Sequence, residues 1–139
     1  MGVCMFVASG FNFDVDGYLR KSPFKPVSVF RKGTVPPKDN PQNQPRPDSG
    51  FVVLVAQSRD AGLSHELPEA LKFLLNNEQE ILSLRSFGVD NSLFDFGIER
   101  QGMIQGAQYL PPDLIIALGR FGMGLIFSTL QLPKGLPKG

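Results

Sequence analysis

The chain has little of what disulfide-bonded and metal-binding proteins require. Its 139 residues include one cysteine and one histidine. A single thiol cannot form a disulfide within the chain, which agrees with a reducing compartment. Cys4 and His65 alone do not make up the ligand set of a protein metal site. The sequence therefore predicts no disulfide, no metal and no cofactor, and it places Cys4 in the core because that residue lies in an apolar run.

Long hydrophobic runs and an excess of one charge are also missing. No stretch reaches the roughly 18 consecutive apolar residues of a transmembrane helix. The start of the chain lacks the charged region and the small-residue cleavage site of a secretory signal. The formal net charge is +1 and the basic residues are scattered, which does not indicate a nucleic-acid or anionic-membrane surface. These absences predict a cytoplasmic protein with neither nucleic acid nor membrane as a partner.

One long amphipathic segment organises the rest of the chain. A helix that begins at Ser64 and ends at Gly88 has one polar face and a wide apolar remainder, as a helix lying on a sheet does. We expect Ser64 to cap its first turn and Gly88 to end it with a positive φ. Asn77 and Glu80 have the spacing of a capping box, so a kink between two shorter helices is an open alternative. The apolar positions are Leu67, Ala70, Leu71, Phe73, Leu74, Leu75, Ile81, Leu82 and Leu84.

Strand patterns lie on both sides of this helix. Residues 3–8 and 51–56 are continuous apolar runs, typical of strands buried on both faces. Residues 27–31 and 93–98 alternate, which predicts strands with one buried face. Residues 124–130 form the last predicted strand.

Two further helices complete the set of predicted elements. Asn12 or Asp14 can cap a short helix that ends near Ser22. A second helix is predicted to begin at Pro112 and to end at Gly122.

The resulting order is β-α-β-β-α-β followed by α-β. Its first part matches the ferredoxin-like split β-α-β arrangement, in which the first and third strands are central. Those are the two strands without a polar face. The sequence therefore predicts an α+β fold with an antiparallel sheet of about five strands and an added C-terminal α-β unit. Because two helices cover one face, we expect either a homodimer or a third helix folded under the sheet to cover the other.

Residues 1–132 are predicted to form a single α+β domain. Within it, residues 36–49 are rich in proline and poor in apolar side chains, so we expect an exposed loop. Residues 133–139 are expected to be a flexible C-terminal tail.

Short motifs along most of the chain carry a resemblance to a known family. They lie at residues 9–10, 14–19, 29–33, 70–74, 93–97, 109–112 and 124–130. In these motifs the chain resembles the bacterial domain-of-unknown-function family 4279. It departs from the family pattern at Phe30, where members often carry tryptophan, and in a longer proline-rich loop. The resemblance implies a small bacterial α+β domain and brings no activity with it.

The candidate ligand-binding residues are Arg31, Lys32, Glu78 and Asp95. Glu78 interrupts the apolar positions of the long helix, so it is expected at the rim of the sheet, paired with a cation, or lining a site. Asp95 projects from the strand face opposite Phe94, and Arg31 ends an outer strand. Opposite charges on a sheet form structural pairs more often than functional ones, and the sequence leaves both readings of this pair open.

The sequence contains no recognisable arrangement of catalytic residues. Three hypotheses for the function remain. The leading hypothesis is a non-catalytic protein-interaction module, immunity-like or regulatory, that binds itself or another bacterial protein. The first alternative is a small-molecule protein that binds an anion with Arg31 and Lys32. The second alternative is an enzyme that uses Asp95 or Glu78 as an acid or base.

Overall fold

The structure is a computed structural model that describes residues 1–35, 44–60, 62–99 and 107–130. Most of the predicted proline-rich loop and the whole predicted tail at 133–139 lie outside the described residues, so both expectations stay predictions there. The described end of the loop, residues 44–47, is exposed as expected. Ser49 was predicted to belong to the loop, but it is buried at the start of a strand.

Five strands form one sheet. They are β1 (Gly2–Gly10), β2 (Ser28–Phe30), β3 (Ser49–Ser58), β4 (Asn91–Glu99) and β5 (Gly124–Leu130). Their order across the sheet is β2-β3-β1-β4-β5. The first four strands pair antiparallel in the ferredoxin-like order, whereas β5 lies parallel to β4. The predicted α+β fold with an added C-terminal α-β unit is confirmed.

The helices of the described residues are α1 (Val15–Lys21), α2 (Glu66–Asn76), α3 (Glu78–Ser83) and α4 (Pro112–Arg120), and a 3-10 turn spans Leu84–Phe87. The carboxylate of Asp14 accepts a hydrogen bond from the Gly17 amide at 3.0 Å, which confirms Asp14 as the cap of α1. Gly88 and Gly122 have φ values of 101° and 64°, so glycine ends both segments as predicted.

The long helix is interrupted at Asn77, so the alternative with two shorter helices is the correct one. Asn77 has φ −126° and ψ 28°, outside the helical region. The expected capping box does not form, because Asn77 Nδ2 donates to the Phe73 carbonyl oxygen at 2.8 Å and thereby closes the end of α2. Ser64 is not the cap of α2 either. The helix begins at Glu66, and the Leu63 carbonyl oxygen already accepts the Leu67 amide at 3.0 Å.

The core lies between the helices and one face of the sheet. Phe6 on β1 is fully buried, and its ring centre lies 5.4 Å from that of Phe73 on α2 and 6.1 Å from that of Phe94 on β4. Tyr18 on α1 stacks on Phe51 of β3 at 5.6 Å. Two leucines expected in this layer, Leu75 and Leu82, are instead 59% and 53% exposed, whereas the adjacent residues Leu74 and Ile81 are buried.

The third helix does not fold under the sheet, so that alternative is wrong. α4 packs against α2, and its Leu114 and Leu118 join the same buried cluster. The connections explain why. β3, β4 and β5 run in one direction and follow one another across the sheet in one direction, so right-handed crossovers place α2 and α4 on the same side.

Candidate functional site

The sheet face opposite the helices is apolar, and we call it the open face. Val7 of β1 pairs with Val52 of β3 and with Leu93 of β4. Met5 pairs with Leu54 in the same way. Paired residues project to the same side of a sheet, so these side chains form one continuous layer. The open face comprises Met5, Val7, Val52, Leu54, Leu93 and Ile126.

No described helix packs on this layer. At its border, Phe30 of β2 pairs with Gly50 of β3 on the same side of the sheet, and the guanidinium of the loop residue Arg46 lies 4.0 Å from the centre of the Phe30 ring. All members of the layer lie outside the buried cluster formed with the helices and outside the partly buried residues packed against that cluster. Ile126, near the border of the sheet, is 44% exposed. The central members are half-buried, because neighbouring side chains on a pleated surface shield one another. Strands without a polar face are ordinarily covered on both sides. The helices of the described chain cover only one side of β1 and β3, so the open face is the side that needs a cover.

The open face is large enough for a protein interface. Five strands spaced by about 4.8 Å, with most of them at least seven residues long at about 3.3 Å per residue, give a flat footprint of roughly 20 Å by 23 Å. Projecting side chains add accessible area to that footprint. The flat footprint, roughly 460 Å², is more than half of the roughly 800 Å² that each partner buries in a standard interface.

Asp95 is the charged residue nearest the middle of the open face. It pairs in register with Met5 on one side and Ile126 on the other. Ser128 Oγ donates a hydrogen bond to Asp95 Oδ1 at 2.7 Å. Glu99 lies at the far end of the same face, where it pairs with the amino group of Met1. The hydroxyl lowers the cost of covering the Asp95 carboxylate.

Arg31 and Asp95 do not form the charge pair that the sequence suggested. Arg31 follows β2 at one edge, and both β3 and β1 lie between it and β4. Its guanidinium instead donates to Asp16 of α1, with 3.1 Å from Nε to Oδ2 and 2.7 Å from Nη2 to Oδ1. That hydrogen bond lowers the pKa of Asp16 and raises that of Arg31. Lys32 is exposed, and its backbone amide donates to Ser49 Oγ.

Glu78 lies at the rim of the helical layer. It is the first residue of α3, its side chain is 47% exposed, and its Oε1 lies 4.0 Å from Nη2 of Arg120 on α4. The structure therefore places the predicted site residues at three separate positions: the β2 edge, the α3–α4 rim and the open face.

A cavity of about 470 Å³ lies between the start of α2 and the segment before α4. None of the candidate residues lines it. Its walls are mostly apolar and include Leu63, Leu67 and Pro111, with Gln108 and Tyr109 opposite.

Glu66 was missed by the sequence reasoning. It is fully buried at the start of α2, and neither carboxylate oxygen has a hydrogen-bond partner among the described residues. The carboxylate lies against Gly2, where a Cβ would come within 2.6 Å of Oε1. Burial raises the pKa of the nearby Cys4 thiol, and the charges of Glu66 and Asp95 add to that shift. The available signal was spacing, since Glu66 precedes Ala70 by four residues and so shares its buried helix face.

Together the fold and the site define an α+β sheet protein with helices on one face and, on the other, an apolar layer on which no described helix packs. In comparisons with known proteins, no family model, no curated protein and no solved structure matches the chain. The resemblance to family 4279 therefore stays a prediction. Within the described ranges, no helix combines the length and apolarity needed to cross a membrane. The same residues contain no cluster of three or more histidine, cysteine or acidic side chains suited to a metal ion.

Proposed function

We propose that this chain is a non-catalytic protein-interaction module whose interface is the open face, and that it self-associates there as a homodimer. The observation that carries the proposal is the continuous apolar layer on β1, β3 and β4, on which no described helix packs. Burying apolar surface contributes about 25 cal/mol per Å², so covering this layer is a strong driving force.

A second copy of the chain is the occupant that fits the charge pattern. A two-fold axis brings the same surface patch of each copy together. A patch that carries several charges of one sign would repel its own copy, but the central strand β1 presents only Met5 and Val7 to the middle of this patch. Asp95 lies one strand away, with Ser128 as a donor. The net charge of +1 adds little long-range repulsion.

The alternatives have less support. Anion binding by Arg31 competes with the two hydrogen bonds that its guanidinium makes to Asp16. Acid or base catalysis by Glu78 or Asp95 has less support because neither residue lines the cavity beside α2 or the small pocket between Ile81 and Phe121. The resemblance to family 4279 favours a small bacterial domain. The cytoplasmic location and the immunity-like or regulatory role are our own proposals beyond that resemblance.

Sedimentation equilibrium of the full chain tests this proposal. We expect association of the wild type and its loss in Leu54→Lys, because a buried unpaired ammonium is costly. Leu75→Lys is the matched control, since Leu75 is exposed on α2, on the other side of the molecule. Circular dichroism of each variant establishes that the fold is retained. Equal association of the two variants would contradict the use of the open face.

A further inference from the structure

The two edges of the sheet differ in how they are protected. Natural sheets protect exposed edges with short strands, charged side chains and bulges. The first edge has all three. β2 is three residues long, and Arg31 and Lys32 follow it directly. The guanidinium of Arg46 lies 4.0 Å above the ring centre of Phe30. Where β3 extends past β2, a bulge at Val55 interrupts its register.

The second edge, formed by β5, has none of these protections. β5 is seven residues long, and its register with β4 is continuous along that length. Residues 121–130 contain no charged side chain and no proline. Ile126 and Phe127 project to opposite faces, and they are 44% and 38% exposed. No other strand of the described chain pairs with the outer side of β5.

We propose that residues 124–128 of β5 are a self-pairing edge, at which a second copy of this chain adds its own β5 in antiparallel orientation. The backbone groups that point away from β4 supply the hydrogen bonds, as in strand addition generally. A two-fold axis places the edge opposite the same edge of the second copy, so an edge rich in one charge would repel itself. The uncharged β5 avoids that repulsion.

The side chains also match under this symmetry. When the numbers of two paired residues, one from each copy, add up to an even value, both side chains project to the same face of the sheet. Each face then continues across the junction between the copies. Phe127 and Leu125 then lie beside the same residues of the second copy on the helical side. Pairing over residues 124–128 is centred on Ile126, which then lies opposite its own copy, and Ser128 lies opposite Gly124, both on the side of the open face. No apolar side chain is forced to the wrong face.

The edge pairing and the open-face pairing use perpendicular two-fold axes. The edge axis runs through the sheet, whereas the face axis lies between two stacked sheets. Where the two axes intersect, the two pairings close an assembly of four chains, a common symmetry among soluble oligomers. The β5 pairing stands on its own observation, so it can hold or fail independently of the open-face interface.

Sedimentation velocity of four proteins separates the two interfaces: the wild type, Phe127→Lys, Leu54→Lys and the double variant. A lysine on β5 adds the edge charge that this strand lacks. Phe127→Leu is the matched control, because it also loses the ring contact with Phe96 at 5.9 Å but leaves the edge uncharged. We expect four chains in the wild type and in Phe127→Leu, two chains in each lysine variant and one in the double variant. Amide hydrogen exchange of β5 should accelerate in Phe127→Lys relative to Phe127→Leu.

Other results are equally decisive. A two-chain wild type that Leu54→Lys dissociates and Phe127→Lys leaves intact would overturn the β5 pairing and keep the open-face interface. A two-chain wild type with the reverse response would support the β5 pairing and contradict the open-face interface. A monomeric wild type would overturn both.

Discussion

Ser128 on β5 donates a hydrogen bond to Asp95 on β4, with 2.7 Å between Oγ and Oδ1. The bond joins two parallel strands on the open face, where Asp95 stands between Met5 and Ile126. A carboxylate that is covered without a donor loses its hydration and gains nothing in return. The Ser128 hydroxyl therefore lowers the free-energy cost of covering Asp95 when the open face is buried in an interface.

Substitutions of this pair should change self-association in opposite directions. Asp95→Leu removes the carboxylate and should tighten association, whereas Ser128→Ala leaves the carboxylate without its donor and should weaken it. We expect about tenfold in each dissociation constant, which corresponds to about 1.4 kcal/mol. Sedimentation equilibrium of the two variants measures both constants. A shift of the same sign in both would show that the carboxylate is not covered in the assembly.

Replacing Glu66 should stabilise the fold. Its carboxylate is fully buried without a described partner, so Glu66→Met exchanges an unsatisfied polar group for an apolar one of similar size. We expect the free energy of unfolding to rise by about 1–3 kcal/mol in urea titrations.

Glu69→Met on the same helix is the control for helix propensity and for the loss of one negative charge, because Glu69 is only half-buried. It should change the free energy of unfolding by less than Glu66→Met does. A loss of stability in Glu66→Met would mean that the carboxylate makes a stabilising interaction.

Tyr18 should make the fold sensitive to alkali. Its hydroxyl donates to the Glu80 carbonyl oxygen at 3.1 Å, which ties α1 to α3. Burial raises the pKa of Tyr18 to about 12, above the value of about 10 for a free tyrosine. The folded state therefore favours the neutral phenol. Its contribution to stability is complete below pH 10 and is lost as pH rises toward 12.

Urea titrations at several pH values test this dependence. The fall in stability above pH 10 should be smaller in Tyr18→Phe than in the wild type. At neutral pH that variant should be less stable by about 1 kcal/mol, because the hydrogen bond is gone. Identical alkaline profiles for the two proteins would refute the assignment to Tyr18.

The Asp16–Arg31 pair should affect the pKa of Asp16, and we expect no role for the pair in self-association. Hydrogen bonding by Arg31 lowers the pKa of Asp16. Its stabilising effect is therefore present above the ordinary aspartate pKa and is lost as pH falls through the lowered value. Carboxyl-carbon NMR titration should show the Asp16 pKa rising toward its ordinary value in Arg31→Ala. Arg20→Ala is the control, because Arg20 only adds a weaker charge effect. An unchanged Asp16 pKa in Arg31→Ala would mean that the pair is not formed in solution.

Much of the fold could be predicted because local pattern and global order agree. The apolar runs of β1 and β3 indicated interior strands, and the element order then allowed few topologies. The sequence predicted the break at Asn77 only as an alternative to one long helix. An asparagine side chain there could cap either the end of the helix before it or the start of the helix after it. The side of the sheet on which α4 packs follows from the right-handedness of crossovers between parallel strands. The sequence-based prediction did not use that rule.

The site was predicted less accurately than the fold, because the positions of charged residues in the sequence do not give the distances between them in the folded chain. Asp95 lies on β4 and Arg31 directly follows β2, and two strands separate β2 from β4. Glu66 was overlooked because an acidic residue in the first turn of a helix is ordinarily favourable there. The apolar excess of the central strands was the informative signal, since it predicted that the second sheet face needs a cover, either a second chain or a third helix.

Thiol labelling of Val7→Cys across a range of protein concentrations tests the central claim most directly. The native Cys4 does not interfere, because it is fully buried and its pKa is raised by burial. If a second copy covers the open face, the labelling rate of Val7→Cys falls as concentration rises, while Ile116→Cys on the exposed side of α4 reacts at a constant rate. A Val7→Cys rate that is independent of concentration, in a chain that sediments as a monomer throughout, would contradict the account.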